Sequence, residues 1–277
     1  MKIIECPRDA MQGWPHFVPT VLKVEYINTL LQVGFDTLDF GSFVSPRAIP
    51  QMADTAQVYE QLRLSATKLL AIVANLKGAE IAVTFQHIQY IGFPFSISET
   101  FQLRNTNSTI AEAFQTVANI QDLCLKHGKT LVIYFSMGFG NPYGDLYNTA
   151  IVTEWAAQMH QLGIKIIALS DTVGVAHPEV VTDLFSQLIP EFPSIEFGAH
   201  FHATAFDWED KIEAAYRSGC RRFDGALGGF GGCPMANDDL VGNINTIPLL
   251  QKFKSELPHI NTQAWQKAQD ISQRVFV

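Results

Sequence analysis

Two histidines separated by one residue, His200 and His202, close the apolar run Phe197-Gly198-Ala199-His200-Phe201-His202. In a β-strand, residues two apart project from the same face, so both imidazoles can converge on one metal ion. Asp9 offers a hard carboxylate oxygen to complete such a site. The alternative is a pair of histidines that satisfy each other or nearby backbone groups. Arg8, beside Asp9, places a fixed cation where an enolate or carboxylate could use it. Asp39 can hold Arg8 in place; equally, the two can form a plain structural ion pair. The stretch Gly228-Gly229-Phe230-Gly231-Gly232-Cys233-Pro234 sets four glycines around one phenylalanine, ahead of a cysteine. Such a loop can act as a closing lid that delivers Cys233 as a proton donor or acceptor. It can also be a flexible turn with an incidental thiol.

These side chains need a frame that gathers them. A helix-like segment, a glycine and a short apolar run recur at Gly34, Gly128, Gly163 and Gly219. Glycine adopts the left-handed conformation cheaply, so each marks a helix end before a strand. The repeat predicts eight strands near 2–6, 35–39, 69–73, 88–92, 130–135, 165–169, 195–200 and 221–224. Helices are expected near 20–33, 57–66, 77–85, 109–126, 147–161, 178–189, 207–218 and 238–253. Thr109 with Glu112 has capping-box spacing, and Pro178 suits a first helical turn. Eight such units predict an α/β fold, a (β/α)8 TIM barrel in one domain spanning 1–277, with an open doubly wound sheet as the alternative.

In a barrel, the polar residues at the C-terminal strand ends build the site. Read in order, these are the segment from Cys6 to Gln12, Asp39 with Ser42, Asn75, Ser170-Asp171-Thr172, the histidine pair and the glycine-rich loop. Cys6, Cys124 and Cys220 lie in or beside apolar periodic segments and are expected in the core.

Composition narrows the partners. The 277 residues are 47% hydrophobic and 17% charged, enough for a large core, and the net charge of −8 argues against nucleic-acid binding. No apolar run approaches the roughly 20 residues of a membrane span. Four cysteines without paired spacing and an N-terminus unlike a leader point to a reduced, cytoplasmic protein. A homodimer is plausible for such a barrel.

The stretches Pro7-Arg8-Asp9, Ser42-Phe43-Val44-Ser45-Pro46, Pro50-Gln51-Met52, Asn75-Leu76-Lys77-Gly78, Ser170-Asp171-Thr172-Val173-Gly174-Val175 and Gly231-Gly232-Cys233-Pro234, through Gly242-Asn243, carry a resemblance. In this order they resemble the 3-hydroxy-3-methylglutaryl-CoA lyases, metal-dependent barrels related to Claisen-condensing enzymes. The resemblance implies Mg2+ or Mn2+ held by Asp9, His200, His202 and Asn243. It implies that Arg8 stabilises the enolate of an acyl-CoA product, that Asp171 helps with the substrate hydroxyl proton, and that Cys233 transfers a proton to product. Asp39 stands where the family usually has glutamate. Gln12, Ser42, Asn75 and Thr172 are implied at the substrate mouth. The reaction implied is metal-dependent carbon–carbon cleavage of 3-hydroxy-3-methylglutaryl-CoA to acetoacetate and acetyl-CoA. Two departures bear on it: Ala203 replaces a customary aspartate, and the stretch from Cys233 to Asn243 is one residue longer than the pattern. Another acyl-CoA or oxo-acid lyase, and a ligand-binding barrel without turnover, are the alternatives.

Overall fold

The chain alternates strands with helices from end to end. The computed structural model describes residues 1–232 and 241–277. Its strands are β1 (Lys2–Glu5), β2 (Thr37–Ser42), β3 (Lys68–Ile72), β4 (Ile88–Ser96), β5 (Thr130–Ser136), β6 (Ile166–Asp171), β7 (Glu196–Phe201) and β8 (Arg222–Gly225). All pairings are parallel, in sequence order, and β8 returns to β1 with Ile3 opposite Phe223, so the barrel is closed. The expected barrel is what forms; the open sheet does not.

The described helices are α1 (Pro7–Gln12), α2 (Thr20–Leu30), α3 (Thr55–Tyr59), α4 (Leu76–Ala82), α5 (Glu99–Thr106), α6 (Ile110–Lys126), α7 (Thr149–Gln161), α8 (Pro178–Glu191), α9 (Trp208–Arg217), α10 (Thr246–Lys252) and α11 (Thr262–Val275). The Thr109–Glu112 capping box is present at the start of α6, and Pro178 opens α8. Three helices fall outside the sequence expectation: α1, α5 and α11. The helix expected near 57–66 is the short α3, and the one expected near 238–253 is described only from Thr246 to Lys252.

Period-two alternation decides what each strand sends inward. On β5, Leu131, Ile133 and Phe135 pack in the core shared with the helices, while Val132 and Tyr134 fill the barrel interior. On β6, Ile167 and Leu169 face the helices, and Ile166 and Ala168 face inward. On β7, Phe197, Ala199 and Phe201 pack outward, which turns His200 and His202 toward the interior. Each fully buried Leu, Ile or Phe contributes about 1.5–3 kcal/mol, so this outer layer fixes the strand faces firmly. Cys6, Cys124 and Cys220 are buried, as expected.

Candidate active site

The mouth of the barrel begins where β1 ends. Pro7 starts α1 in a position that needs no N–H donor, and this single turn presents Arg8, Asp9 and Gln12 to the interior. Arg8 Nε and Nη2 donate to Asp39 Oδ2 at 2.9 and 2.5 Å. Its Nη1 donates to Asp9 Oδ1 at 2.9 Å and to Gln12 Oε1 at 2.8 Å. Gln12 Nε2 in turn donates to Asp9 Oδ1 at 2.9 Å. Asp39 therefore reaches the guanidinium and holds it, as its position in the sequence suggested.

Candidate ligand atoms of Asp9, His200 and His202 all lie within 4.8 Å of one another. Asn243 joins them: it bridges to His202 in the backbone, and its Nδ2 donates to Asp9 Oδ2 at 2.5 Å and to the Phe230 carbonyl at 2.9 Å. With the amide nitrogen so engaged, the carbonyl oxygen is the end of Asn243 that can offer a lone pair to a metal. Behind His200, Asp224 on β8 accepts from Nδ1 at 3.0 Å, which leaves Nε2 as the ligating atom.

The electrostatics suit a cation. Burial alone would raise the Asp9 carboxyl, but Arg8, His200, His202 and Asn243 together bring it below its usual value. Burial, then the neighbouring His200, push His202 down to about 4, so its ring is neutral and its lone pair available. His200 is raised: burial opposes its charge, but the hydrogen bond and charge of Asp224 prevail. Burial lifts Asp39 to about 6 against the pull of Arg8. Cys6, His200 and Asp224 form a second cluster whose candidate ligand atoms also lie within 4.8 Å of one another. There, burial and the charges of Asp224, Asp39 and Asp9 drive the Cys6 thiol well above its ordinary value. Asp9, His200 and His202 all line the cavity at the barrel mouth, whereas Cys6 and Asp224 do not, so the Asp9 set is the one placed to hold an ion that meets substrate.

Above these groups lies a cavity of about 320 Å3. Arg8, Asp9, Gln12, His200 and His202 line it, with Ser42, Ser136, Ser170, Thr172 and Tyr134; Val44, Ile49, Ile72, Pro94 and Phe101 supply apolar wall. The volume suits part of a small-molecule ligand. Ser42 and Thr172 thus stand where the sequence placed them, each hydroxyl accepting a backbone N–H, from Val44 at 3.1 Å and Met137 at 2.9 Å.

Two residues are elsewhere. Asn75 is an exposed N-cap of α4, its Oδ1 accepting the Gly78 N–H at 2.9 Å, and it does not line the cavity. Asp171 follows the inward-facing Ser170 and so points to the helix layer. Its Oδ2 accepts from Lys211 Nζ at 2.9 Å and from the Ala176 N–H at 3.1 Å, and its Oδ1 accepts the Val175 N–H at 2.8 Å. The structure corrects the expectation of Asp171 at the mouth, because alternation turns it behind the wall. Cys233 lies outside the described residues.

Sequence reasoning missed Asp224, Tyr134 and Lys211. Asp224 occupies the inward position on the strand next to the histidines, a signal alternation could have given. The Tyr134 ring stands edge-on to His200 with centroids 5.4 Å apart, and its hydroxyl is buried without a hydrogen-bond partner among the described residues. Lys211 is buried on α9 and donates to the His202 carbonyl at 3.1 Å and the Gly174 carbonyl at 3.2 Å as well as to Asp171. A lysine beside Ile212 on the apolar stripe of α9 was the available sign.

The HMGL-like family model matches residues 2–270. The chain belongs to the HMGL-like family. It is 30% identical to the mitochondrial hydroxymethylglutaryl-CoA lyase of Mus musculus over 257 residues, covering 88% of this chain and 78% of that protein. It is 31% identical to the cytoplasmic 3-hydroxy-3-methylglutaryl-CoA lyase of Danio rerio, covering 90% and 75%. Among solved structures, an HMG-CoA lyase from Acinetobacter baumannii in complex with coenzyme A and 3-methylmalate superposes with a TM-score of 0.91 at 31% identity, covering 100% of this chain and 91% of that one. The HMG-CoA lyase from Brucella melitensis gives 0.90 at 29% identity, covering 99% and 97%. Membership makes the protein a lyase of this barrel type and implies a divalent metal, which the Asp9–His200–His202 set fits by donor type and spacing. Among the described residues, no helix is long and apolar enough to cross a membrane.

Proposed function

We propose that this protein cleaves 3-hydroxy-3-methylglutaryl-CoA to acetoacetate and acetyl-CoA, with Mg2+ or Mn2+ bound by Asp9, His200, His202 and Asn243. The observation that carries this reading is the meeting of three ligand side chains within 4.8 Å, directly beside an arginine held by two carboxylates. When bound, the ion supplies Lewis-acid polarisation of substrate oxygens and lowers the hydroxyl pKa.

The protein's own groups do the rest. The tertiary hydroxyl at C3 passes its proton to solvent water in the cavity, the C2–C3 bond breaks to leave the acetoacetate ketone, and the bond's electron pair moves into the thioester enolate. Arg8, fixed by Asp39 and Asp9 before substrate arrives, stabilises that developing charge without reorganisation. Gln12, Ser42 and Thr172 line the cavity and orient the acyl portion; Asn75 stands outside it. Because Asp171 faces Lys211, its part in proton handling is indirect: it fixes Lys211, which holds the His202 carbonyl. A proton delivered to C2 completes acetyl-CoA, and Cys233 is our candidate donor on sequence grounds.

The A. baumannii relative, solved with coenzyme A, supports an acyl-CoA substrate. The curated relatives include cytoplasmic and mitochondrial forms; the cytoplasm is our reading for this chain, and a homodimer our expectation for its assembly. The test is a panel of acyl-CoA thioesters and free hydroxy acids offered to the Mn2+-loaded protein. The proposal requires hydroxymethylglutaryl-CoA to be the preferred substrate; faster turnover of another thioester would reassign the chain within its family.

A further inference from the structure

The glycine-rich segment after β8 passes directly over the metal-ligand set. A Cβ at Gly231 would lie 2.5 Å from Asn243 Nδ2 and 2.9 Å from the Asp9 carbonyl oxygen, and its φ is +102°, so only glycine fits there. Gly228, Gly229 and Gly232 also have positive φ. Up to Gly229 the backbone is tied: Leu227 N–H donates to Glu5, Gly228 N–H to Asn245 Oδ1 and Gly229 N–H to the Ala226 carbonyl. Beyond it, Phe230 carries the one large side chain between Gly228 and Gly232. Its carbonyl accepts the Asn243 amide.

The Phe230 ring is caged by two distant parts of the chain. It stacks on Phe276, just past α11, with centroids 4.4 Å apart and planes 24° apart. Trp14, in the loop after α1, meets Phe230 edge-on at 5.5 Å and Phe276 edge-on at 5.3 Å. Aromatic pairs of this geometry add about 0.5–1.5 kcal/mol each beyond simple burial. The cage therefore restrains a backbone that its glycines leave otherwise loose.

We propose that Trp14 and Phe276 are positioning residues for the metal centre. By pinning the Phe230 ring outside the barrel, they set where its carbonyl stands inside, and so hold Asn243 against Asp9. This rests on the reading that Asp9, His200, His202 and Asn243 bind a divalent ion. Neither Trp14 nor Phe276 touches a ligand atom; both act through Phe230.

The experiment compares wild type, Phe276→Ala and Phe276→Tyr after chelation. Mn2+ binding is followed by the free-ion electron paramagnetic resonance signal, and turnover is titrated with Mn2+. Outer-shell changes weaken metal affinity by about 10–100-fold. Phe276→Ala is expected at the lower end, about tenfold, with the Mn2+ concentration for half-maximal turnover rising in step and by more than kcat falls. Phe276→Tyr, which keeps a flat ring, is expected to restore wild-type affinity. Unchanged Mn2+ affinity in Phe276→Ala overturns the proposal, as does a Phe276→Tyr variant no better than the alanine. A wild type that binds no Mn2+ overturns the metal reading itself and the cage with it. If melting shows Phe276→Ala to be unfolded, Phe230→Leu replaces it, breaking the stack while keeping an apolar contact. The same tenfold weakening is then expected, and wild-type affinity refutes the role.

Discussion

Arg8 engages Asp39 through one carboxylate oxygen: Nε and Nη2 both donate to Oδ2, while Oδ1 is buried without a partner among the described residues. The third guanidinium nitrogen, Nη1, goes to Asp9 and Gln12. Arg8 is thus fixed from behind and from the side, with its charge presented to the cavity.

Arg8→Met should consequently lower kcat by about 100–1000-fold, the usual loss when one preorganised donor to a developing oxyanion is removed. Metal binding should survive, because Asp9 loses a competing cation rather than a ligand partner. Steady-state kinetics with a parallel Mn2+ titration check this. An unchanged kcat would make Arg8 a structural partner of Asp39.

Asp224 fixes the tautomer of His200. Asp224→Ala should weaken Mn2+ binding by about 10–100-fold, and Asp224→Asn by less, since its carbonyl still accepts from Nδ1–H. Equal losses in both variants would show that the negative charge, not the hydrogen bond, is what His200 needs.

The barrel was legible because glycine punctuates it: Gly34, Gly128, Gly163 and Gly219 all have positive φ before a strand. The histidine pair was legible because a strand repeats every two residues. What escaped followed from reading strand-end motifs without alternation. Ser170-Asp171-Thr172 looks like one polar cluster, yet Ser170 and Thr172 face the cavity while Asp171 meets Lys211. The helices α1 and α5 escaped for another reason. They are 6 and 8 residues long, too short for a helical period to show. Asp224 escaped for the same reason as Asp171: β8 pairs directly with the histidine strand β7, and only alternation along β8 shows that Asp224 turns inward beside His200.

Lys211→Met should destabilise the fold by about 3–5 kcal/mol, because it leaves the Asp171 carboxylate buried and uncompensated. Burial already raises the Asp171 carboxyl despite Lys211. Adding Asp171→Asn should recover part of the loss, a coupling that chemical denaturation of the single and double variants measures. Strict additivity would deny the pair.

Glu5 sets a pH dependence of stability. Burial lifts its carboxyl from 4.5 to about 8, although Thr246 and the Leu227 N–H hydrogen-bond to it. Between those values the folded protein holds a proton that the unfolded chain has released. The Glu5 contribution is therefore full below about pH 4.5 and is lost as pH rises toward 8. Glu5→Gln has no such proton. Its melting temperature relative to wild type should improve from pH 5 to pH 8; a constant difference would place the Glu5 titration elsewhere.

The most direct test of the proposed chemistry is cleavage of hydroxymethylglutaryl-CoA by chelated wild-type protein as Mn2+ is added back. Acetyl-CoA and acetoacetate should appear in equal amounts, absent under chelation and restored by one equivalent of metal, with His202→Ala silent at the same concentrations. Cleavage that persists under chelation, or none at saturating Mn2+, would contradict it.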